Sequence, residues 1–119
     1  SHCERGDEVI LGDQSHIFLN EVGGLAALGG VHPHIIKNEP DGTLNIKTIE
    51  QKIRASDVHY PPTRLITLEN THNYCMGSPI SPEYMKQVGN LAQKYNLKIH
   101  QLKMEYNLMK FLYLQIKIV

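Results

Sequence analysis

The densest chemistry in the sequence lies in ENTHN, residues 69–73, which holds a carboxylate, two amides, a hydroxyl and an imidazole. ENTHN directly follows the apolar run 65–68, which predicts a buried strand. His72 is suited to proton transfer because an unperturbed imidazole titrates close to ambient pH. The alternative is a structural loop histidine whose ring is hydrogen-bonded to Glu69 or Asn70, and the local sequence favours neither interpretation.

A second candidate, His16, lies in the stretch GDQSHIF at residues 12–18. This stretch follows the apolar run 8–11, which predicts another short buried strand that ends in a turn. Local sequence alone favours a structural interpretation, in which Ser15 caps a helix and His16 occupies its first turn. The functional interpretation is a ring that lies over a ligand crevice and stacks on a flat heteroaromatic group.

Two other stretches carry weaker signals. HPH at residues 32–34 places two imidazoles two positions apart, with His59 and His72 elsewhere, but no spaced Cys or acidic partner completes a ligand set. We expect structural or solvent-facing roles there and no metal, with a histidine-based metal module as a minor alternative. GGLAALGG at 23–30 lacks the G-x-G-x-x-G spacing of a dinucleotide loop, which favours helix packing.

The elements that must position these residues alternate between strand and helix patterns. Strands are predicted near residues 8–11, 31–37, 65–68 and 97–100, and helices over 15–28, 46–53 and 82–95. Ser81-Pro82-Glu83 is a strong helix start, because Ser caps, Pro fits the first position and Glu favours the positive end of the dipole. The alternation predicts an α/β fold with a mainly parallel sheet covered on both faces. Ligands of such sheets bind beyond the carboxyl ends of the strands, where His16 and His72 are expected.

Composition narrows the class of partner. The 119 residues fit one domain, and 12 Lys and Arg balance 12 Asp and Glu. This balance argues against nucleic acid or an anionic membrane and favours a small neutral or amphoteric ligand. Cys3 and Cys75 form no disulfide or zinc pattern, and no run suits a signal peptide or a bilayer span, so we expect a cytoplasmic protein. The sequence does not begin with Met, and we expect it to be incomplete at its start.

Four segments together resemble the low-specificity L-threonine aldolases, in the family of aromatic amino acid β-eliminating lyases and threonine aldolases. They are RGDEVILGDQSHIFLNEVGGLAALGGVHPH, DGTLNIKTIEQKIR, PPTRLITLENTHN and SPEYMKQVGNLAQKYNLKIH. The resemblance runs from about His2 to His100 and implies the aspartate aminotransferase type of pyridoxal-phosphate enzyme. Residues 1–100 are then part of its three-layer, mainly parallel large domain, and residues 101–119 are a divergent apolar tail.

The activity implied by the resemblance is cleavage of L-threonine or L-allo-threonine to glycine and acetaldehyde, a pyridoxal-phosphate-dependent aldehyde-lyase reaction of amino-acid metabolism. The cofactor takes up the electrons of the broken bond, and a base takes the proton of the β-hydroxyl. By the resemblance, His16 stacks on the cofactor ring and lies near that hydroxyl. His72 is then the second catalytic histidine, which binds or deprotonates the hydroxyl. The family is commonly homotetrameric, with active sites at subunit boundaries.

The sequence departs from the family after His100. The family continues into an Asp-Gly-Ala-Arg motif, whose Asp pairs with the ring nitrogen of the cofactor, whereas this chain continues QLKM over residues 101–104. Lys103, Lys110 and Lys117 match no family motif, so none is expected to bind the cofactor covalently. The Ser-Gly-Thr turn that holds the cofactor phosphate normally precedes residue 1.

These departures lead us to expect that the chain alone is inactive. The alternative is a non-catalytic fragment that associates with full-length aldolase subunits through family interface surfaces. In that case the apolar tail, residues 108–119, is expected to cover an exposed sheet edge or to promote aggregation.

Overall fold

The computed structural model describes residues 2–103, and the structural statements below concern that part of the chain. Strands and helices alternate along it, as the sequence predicts. In chain order they are β1 (Glu8–Gly12), α1 (His16–Leu19), α2 (Gly24–Ala27), β2 (His32–Ile36), α3 (Ile46–Lys52), β3 (Thr63–Asn70), α4 (Pro82–Lys94) and β4 (Lys98–Lys103).

The four strands form one sheet in the order β2-β1-β3-β4, and every adjacent pair is parallel. Successive side chains of a strand point to opposite faces, so each strand contributes to two apolar cores. One core joins Val9, Leu11 and Leu65 of the sheet to Ile17 and Leu25 of α1 and α2. The other joins Ile10, Ile66 and Leu68 to Ile49 of α3 and Val88 and Leu91 of α4. The expected α/β fold with helices on both faces of a parallel sheet is confirmed.

The start of α4 matches its sequence signal closely. The Ser81 side chain accepts a hydrogen bond from the Tyr84 N–H at 3.1 Å, and Pro82 occupies the first helical position. The helix ends at Lys94, and Asn96 then takes the left-handed conformation, with a φ of 54°. None of the described helices has the length and apolar character needed to cross a bilayer.

The sequence predicts one continuous helix over residues 15–28, and this prediction is wrong. Val22 and Gly23 adopt positive φ values of 52° and 68°, and this left-handed turn divides the segment into the short helices α1 and α2. Ser15 occupies the position before α1, but its side chain makes no capping bond. Its hydroxyl donates instead to the Gly12 carbonyl at 2.7 Å, so Ser15 stabilises the turn after β1.

Two strands are longer than the sequence predicts. β3 and β4 pair as far as Glu69 with Leu102 and Asn70 with Lys103. The first two residues of ENTHN are therefore in the sheet, and β4 continues three residues past His100, because the ladder between the two strands supplies their backbone hydrogen bonds. The expected division of the chain at residue 100 stays a prediction, and the tail from residue 104 lies outside the described residues.

Candidate functional site

The two candidate histidines follow two neighbouring strands whose connections leave in opposite directions. β1 leads to β2 through α1 and α2 on one face of the sheet, whereas β3 leads to β4 through α4 on the other face. Such a divergence opens the crevice in which parallel sheets bind ligands. His16 follows β1 and His72 follows β3, at this crevice. We refer to residues 12–16, 38–42 and 69–78, which lie at the carboxyl ends of β1, β2 and β3, as the carboxyl edge.

A single carboxylate joins the two segments that carry these histidines. Glu69 accepts a hydrogen bond from the His16 backbone N–H at 2.7 Å and from the Asn73 backbone N–H at 2.8 Å. Its side chain is buried. The interpretation that Glu69 or Asn70 holds the His72 ring is wrong: Glu69 is bonded to backbone groups, and the Asn70 amide oxygen accepts from the Ile80 N–H.

Neighbours on the same segment orient the ring of His16. The Asn20 side-chain amide lies 3.3 Å from Nδ1, and the Glu21 carboxylate lies 3.4 Å from Nε2. Because the Asn20 amide can only donate through its nitrogen, Nδ1 acts as the acceptor and Nε2 carries the proton that faces Glu21. The Asn20 amide also donates to the Tyr74 hydroxyl at 3.3 Å, which is a second contact between the two histidine-bearing segments.

The ring of His72 is covered rather than open to solvent. Only 1% of His72 is exposed, and neither ring nitrogen has a hydrogen-bond partner among the described residues. Gly42 lies over the ring, since a Cβ built on this glycine would be 2.6 Å from the His72 Cβ. Buried imidazole nitrogens are normally bonded, so His72 has hydrogen-bonding capacity that the described residues do not use.

His72 and Thr67 line the same small cavity. The cavity has a volume of about 10 Å³, and the Thr67 hydroxyl is also buried without a hydrogen-bond partner among residues 2–103. Three backbone hydrogen bonds fix the loop around the ring. The His72 N–H donates to the Ser78 carbonyl at 3.1 Å, and the His72 carbonyl accepts from the Gly77 N–H at 3.0 Å and from the Cys75 N–H at 3.3 Å. A compact loop therefore presents the imidazole to the interior.

Asn38 connects the remaining segment of the carboxyl edge. Its amide oxygen accepts from the Gln14 N–H at 2.9 Å, its amide nitrogen donates to the Gly42 carbonyl at 3.0 Å, and its backbone N–H donates to Asp13 at 2.8 Å. A side chain at Gly12 would overlap the Asn38 amide. The sequence marked Asn38 only as part of a turn, because its contacts with Gln14 and Asp13 join residues that are 24 and 25 positions apart.

Cys75 is the one cysteine of the carboxyl edge. Its thiol lies 3.7 Å from the Gln14 side-chain oxygen and 3.9 Å from the Glu39 carbonyl, which are weak contacts. Burial raises the pKa of the Cys75 thiol, and the nearby Glu69 carboxylate raises it further. A thiol held in the protonated form is a poor nucleophile.

The other sequence-noted histidines lie away from the carboxyl edge. At the amino ends of the strands, the buried Glu8 carboxylate contacts His34 Nδ1 at 2.8 Å, Arg54 Nε at 3.0 Å and, more distantly, His32. The Thr63 hydroxyl donates to the same carboxylate at 3.2 Å. We refer to these five residues as the amino-end cluster.

His59 is also remote from the carboxyl edge, where it pairs with Asp57 at the surface, 2.8 Å apart. Within residues 2–103, no group of three His, Cys, Asp or Glu side chains is arranged to hold a metal ion. The contacts of His32 and His34 with Glu8 support the structural interpretation of HPH.

Comparison with known proteins links this geometry to a family. A family model described as beta-eliminating lyase matches residues 1–101. The chain is 54% identical over 102 residues to the probable low-specificity L-threonine aldolase 2 of Arabidopsis thaliana, covering 83% of this chain and 29% of that protein. It is 42% identical over 100 residues to the low specificity L-threonine aldolase of Escherichia coli K12, covering 84% of this chain and 29% of that protein.

A solved structure shares the fold. The threonine aldolase of Leishmania major matches with a TM-score of 0.70 at 20% identity, over 84% of this chain and 28% of that chain. The fold inferred from the sequence is thus confirmed as part of the threonine aldolase fold. The chain spans less than a third of the length of the curated relatives named above. Because the family model matches 101 of the 119 residues, the chain belongs to the beta-eliminating lyase family.

Proposed function

We propose that this chain carries one side of the active site of a pyridoxal-phosphate-dependent aldehyde-lyase, which cleaves L-threonine or L-allo-threonine to glycine and acetaldehyde. The observation that carries the proposal is the position of His16 and His72 after β1 and β3, where the connections of the sheet diverge. Identities of 42% and 54% to proteins named low-specificity L-threonine aldolases support this choice of reaction.

Pyridoxal phosphate is implied by the family. The described residues near His16 fit this cofactor, whereas those near the end of β4 do not. His16 has an oriented ring at the crevice, with 17% of its side chain exposed. Leu102, near the end of β4, is buried in an apolar cluster with Cys3 and Val9. The resemblance calls for an aspartate close to this position, and an apolar side chain cannot pair with a protonated ring nitrogen. We therefore derive no chemical step through the cofactor, which in the family supplies the electron sink.

The role proposed for His72 is to hold the proton of the substrate β-hydroxyl at a ring nitrogen. Its nitrogens are buried and make no hydrogen bond with residues 2–103, so one of them is available to a hydroxyl group. Such a transfer needs the two heavy atoms to be roughly 2.6–3.2 Å apart. Since Gly42 lies over the ring, entry of a substrate requires residues 38–42 to shift.

The role proposed for His16 is to stack on the cofactor ring and to flank the same hydroxyl. Contacts of both ring nitrogens within its own segment support this role, because they set the plane of the imidazole before a ligand arrives. The proposal further includes a β-hydroxy amino acid as the substrate, no nucleic-acid or membrane partner, and a cytoplasmic homotetramer for the complete protein.

We expect the chain by itself to be inactive, and an activity assay tests this expectation. Purified chain is mixed with pyridoxal phosphate and L-threonine, then assayed for borohydride-trapped cofactor and for glycine. We expect neither product, and robust turnover would refute the inactivity.

In parallel, ring C–H signals of the histidines are followed by NMR during addition of L-threonine or L-2-aminobutyrate, which lacks the hydroxyl. We expect His72 to shift with L-threonine and less with L-2-aminobutyrate. Equal responses to both amino acids would contradict the hydroxyl contact.

A second candidate function is association with full-length aldolase subunits without catalysis. The observation that favours it is the sheet order, in which β2 and β4 each have one edge without a strand neighbour among the described residues. Co-purification of tagged chain with a full-length subunit would support this function. A soluble monomer that ignores such subunits would count against it.

A further inference from the structure

We propose that Glu69 is a positioning residue that sets the placement of His16 relative to the His72 loop. Its two carboxylate oxygens are used separately. Oε2 accepts from the His16 N–H at 2.7 Å, and Oε1 accepts from the Asn73 N–H at 2.8 Å. One side chain therefore fixes the backbone beside both proposed catalytic histidines.

The position of Glu69 in the sheet makes it a suitable anchor. It belongs to β3 and pairs with Leu102 of β4, so its backbone is held by the ladder. His16 and Asn73 instead lie outside the strands, in segments whose course is set by such contacts. Because Asn20 and Glu21 orient the His16 ring from the same segment, a displacement of the His16 backbone is transmitted to the imidazole.

The chemistry of this link requires a carboxylate of this length. Two N–H donors converge on one group, and a carboxylate offers an acceptor to each of them. Glutamine in its place would accept one N–H and direct its own NH₂ group at the other. Aspartate would be one methylene shorter and would fall short of both. The Asn20 contact with Tyr74, at 3.3 Å, joins the same two segments but is long and partly exposed, so it cannot replace Glu69.

The catalytic consequence rests on the proposed function, whereas the positional role does not. If His16 and His72 act on one substrate, the separation of their segments is a catalytic variable, and small displacements of reacting groups reduce rates strongly. The test is therefore built on backbone amides, which report the position of the segments whether or not the chain binds a ligand.

Amide hydrogen exchange of the 119-residue chain, measured by NMR, tests the positional role with Glu69→Ala, Glu69→Gln and the matched control Asn38→Ala. Asn38 is also buried, and its side chain holds the Gln14 N–H at the same edge. We expect Glu69→Ala to speed exchange at His16 and Asn73 by about tenfold each, the effect of one lost hydrogen bond. The ring signal of His16 should shift in the same variant.

The variants distinguish the two hydrogen bonds of Glu69 from each other and from the hydrogen bond of Asn38. Glu69→Gln should release one of the two amides more than the other, whereas Asn38→Ala should release Gln14 and leave His16 and Asn73 protected. Unchanged exchange at His16 and Asn73 in Glu69→Ala would overturn the proposal. So would a uniform loss of protection in both Glu69 variants, because it would make Glu69 a general stabiliser of the fold.

Failure of the proposed function gives a different pattern. The wild-type chain would then show no response of His16 or His72 to pyridoxal phosphate or L-threonine, while the exchange pattern of the Glu69 variants would persist. Localised loss of protection in the variants supports the positional role in either case.

Discussion

Two buried glutamates lie at opposite ends of the same sheet and are bound by different kinds of group. Glu8, at the amino end of β1, contacts side chains with positive or titratable charge, Arg54 and His34 among them. Glu69, near the carboxyl end of β3, is bound by two backbone N–H groups. About six strand residues, or roughly 20 Å, separate the two ends of the sheet.

These two environments separate a part of the sheet where side chains from several elements meet from a part where loops are attached. The side chains that surround Glu8 come from β2, β3 and the segment after α3. This carboxylate therefore connects three parts of the domain to β1. Glu69 instead holds the two segments that carry His16 and His72, through the backbone N–H groups of His16 and Asn73. We expect substitutions of Glu8 to lower the stability of the whole domain, and substitutions at the carboxyl edge to act more locally.

The largest effect is expected for Glu8→Ala. The change leaves Arg54 and His34 without their carboxylate in a poorly solvated site, and removal of one partner of a buried ion pair costs about 3 kcal/mol. Urea unfolding followed by circular dichroism gives the free energy of unfolding. Glu4→Ala, at an exposed position, is the control and should change it by less than about 0.5 kcal/mol. Similar values for the two variants would contradict the role of Glu8.

A smaller but more local effect is expected for Gly42→Ala. The new methyl group would press on the His72 side chain, and the φ of 84° is unfavourable for alanine, so we expect a loss of about 2 kcal/mol. Gly77→Ala is the matched control, because Gly77 also has a positive φ, 68°, but no atom within 4 Å of its added Cβ.

Both glycine variants are measured by urea unfolding and by the NMR signal of the His72 ring. Gly77→Ala should cost about 1 kcal/mol and leave the ring signal in place. If the two variants shift that signal equally, Gly42 does not lie against His72.

The smallest effect is expected at Tyr84, which lies outside both regions. Its hydroxyl donates to the Leu44 carbonyl at 2.7 Å and accepts from the Leu44 N–H at 2.9 Å. Tyr84→Phe should lower the free energy of unfolding by about 1 kcal/mol near neutral pH. A loss as large as that of Glu8→Ala would reverse the ranking of these sites.

Alkaline pH gives an independent test of Tyr84. Burial raises the pKa of Tyr84 from 10.0 to about 12, so the folded state holds the phenol proton more tightly than the unfolded state. This contribution to stability is complete below pH 10 and is lost as the pH rises through about 12. The free energy of unfolding should therefore fall less steeply in Tyr84→Phe over that interval. Parallel curves for the two proteins would show that Tyr84 does not titrate with unfolding.

The sequence predicts the sheet well because the signals of its elements are local. The apolar runs of β1 and β3, the capped start of α4 and the positions of His16 and His72 follow from residues within a few places of each other. The left-handed turn at Val22 and Gly23 is not predicted, because Gly23 and Gly24 lie inside an apolar helical pattern, where glycines weaken a helix without requiring a break.

The internal contacts of the site are harder to infer. Glu69 is visible as part of ENTHN, but its bond to the His16 N–H spans 53 residues and depends on the register of β1 and β3. The closeness of Gly42 to His72 likewise depends on how two loops fold over the sheet. Such long-range contacts produce no repeating pattern in the sequence. The resemblance to threonine aldolases points to the two histidines as candidates but does not give their positions relative to Glu69 and Gly42.

We expect ligands to bind at the carboxyl edge of this chain and not at the amino-end cluster. The most direct test is the response of the histidine ring signals to added pyridoxal phosphate, measured by NMR on the wild-type chain. Binding at the carboxyl edge predicts shifts at His16 and His72 that saturate together, with His32 and His34 unmoved. Shifts at His32 and His34 without any at His16 and His72, or none at any histidine, would contradict it.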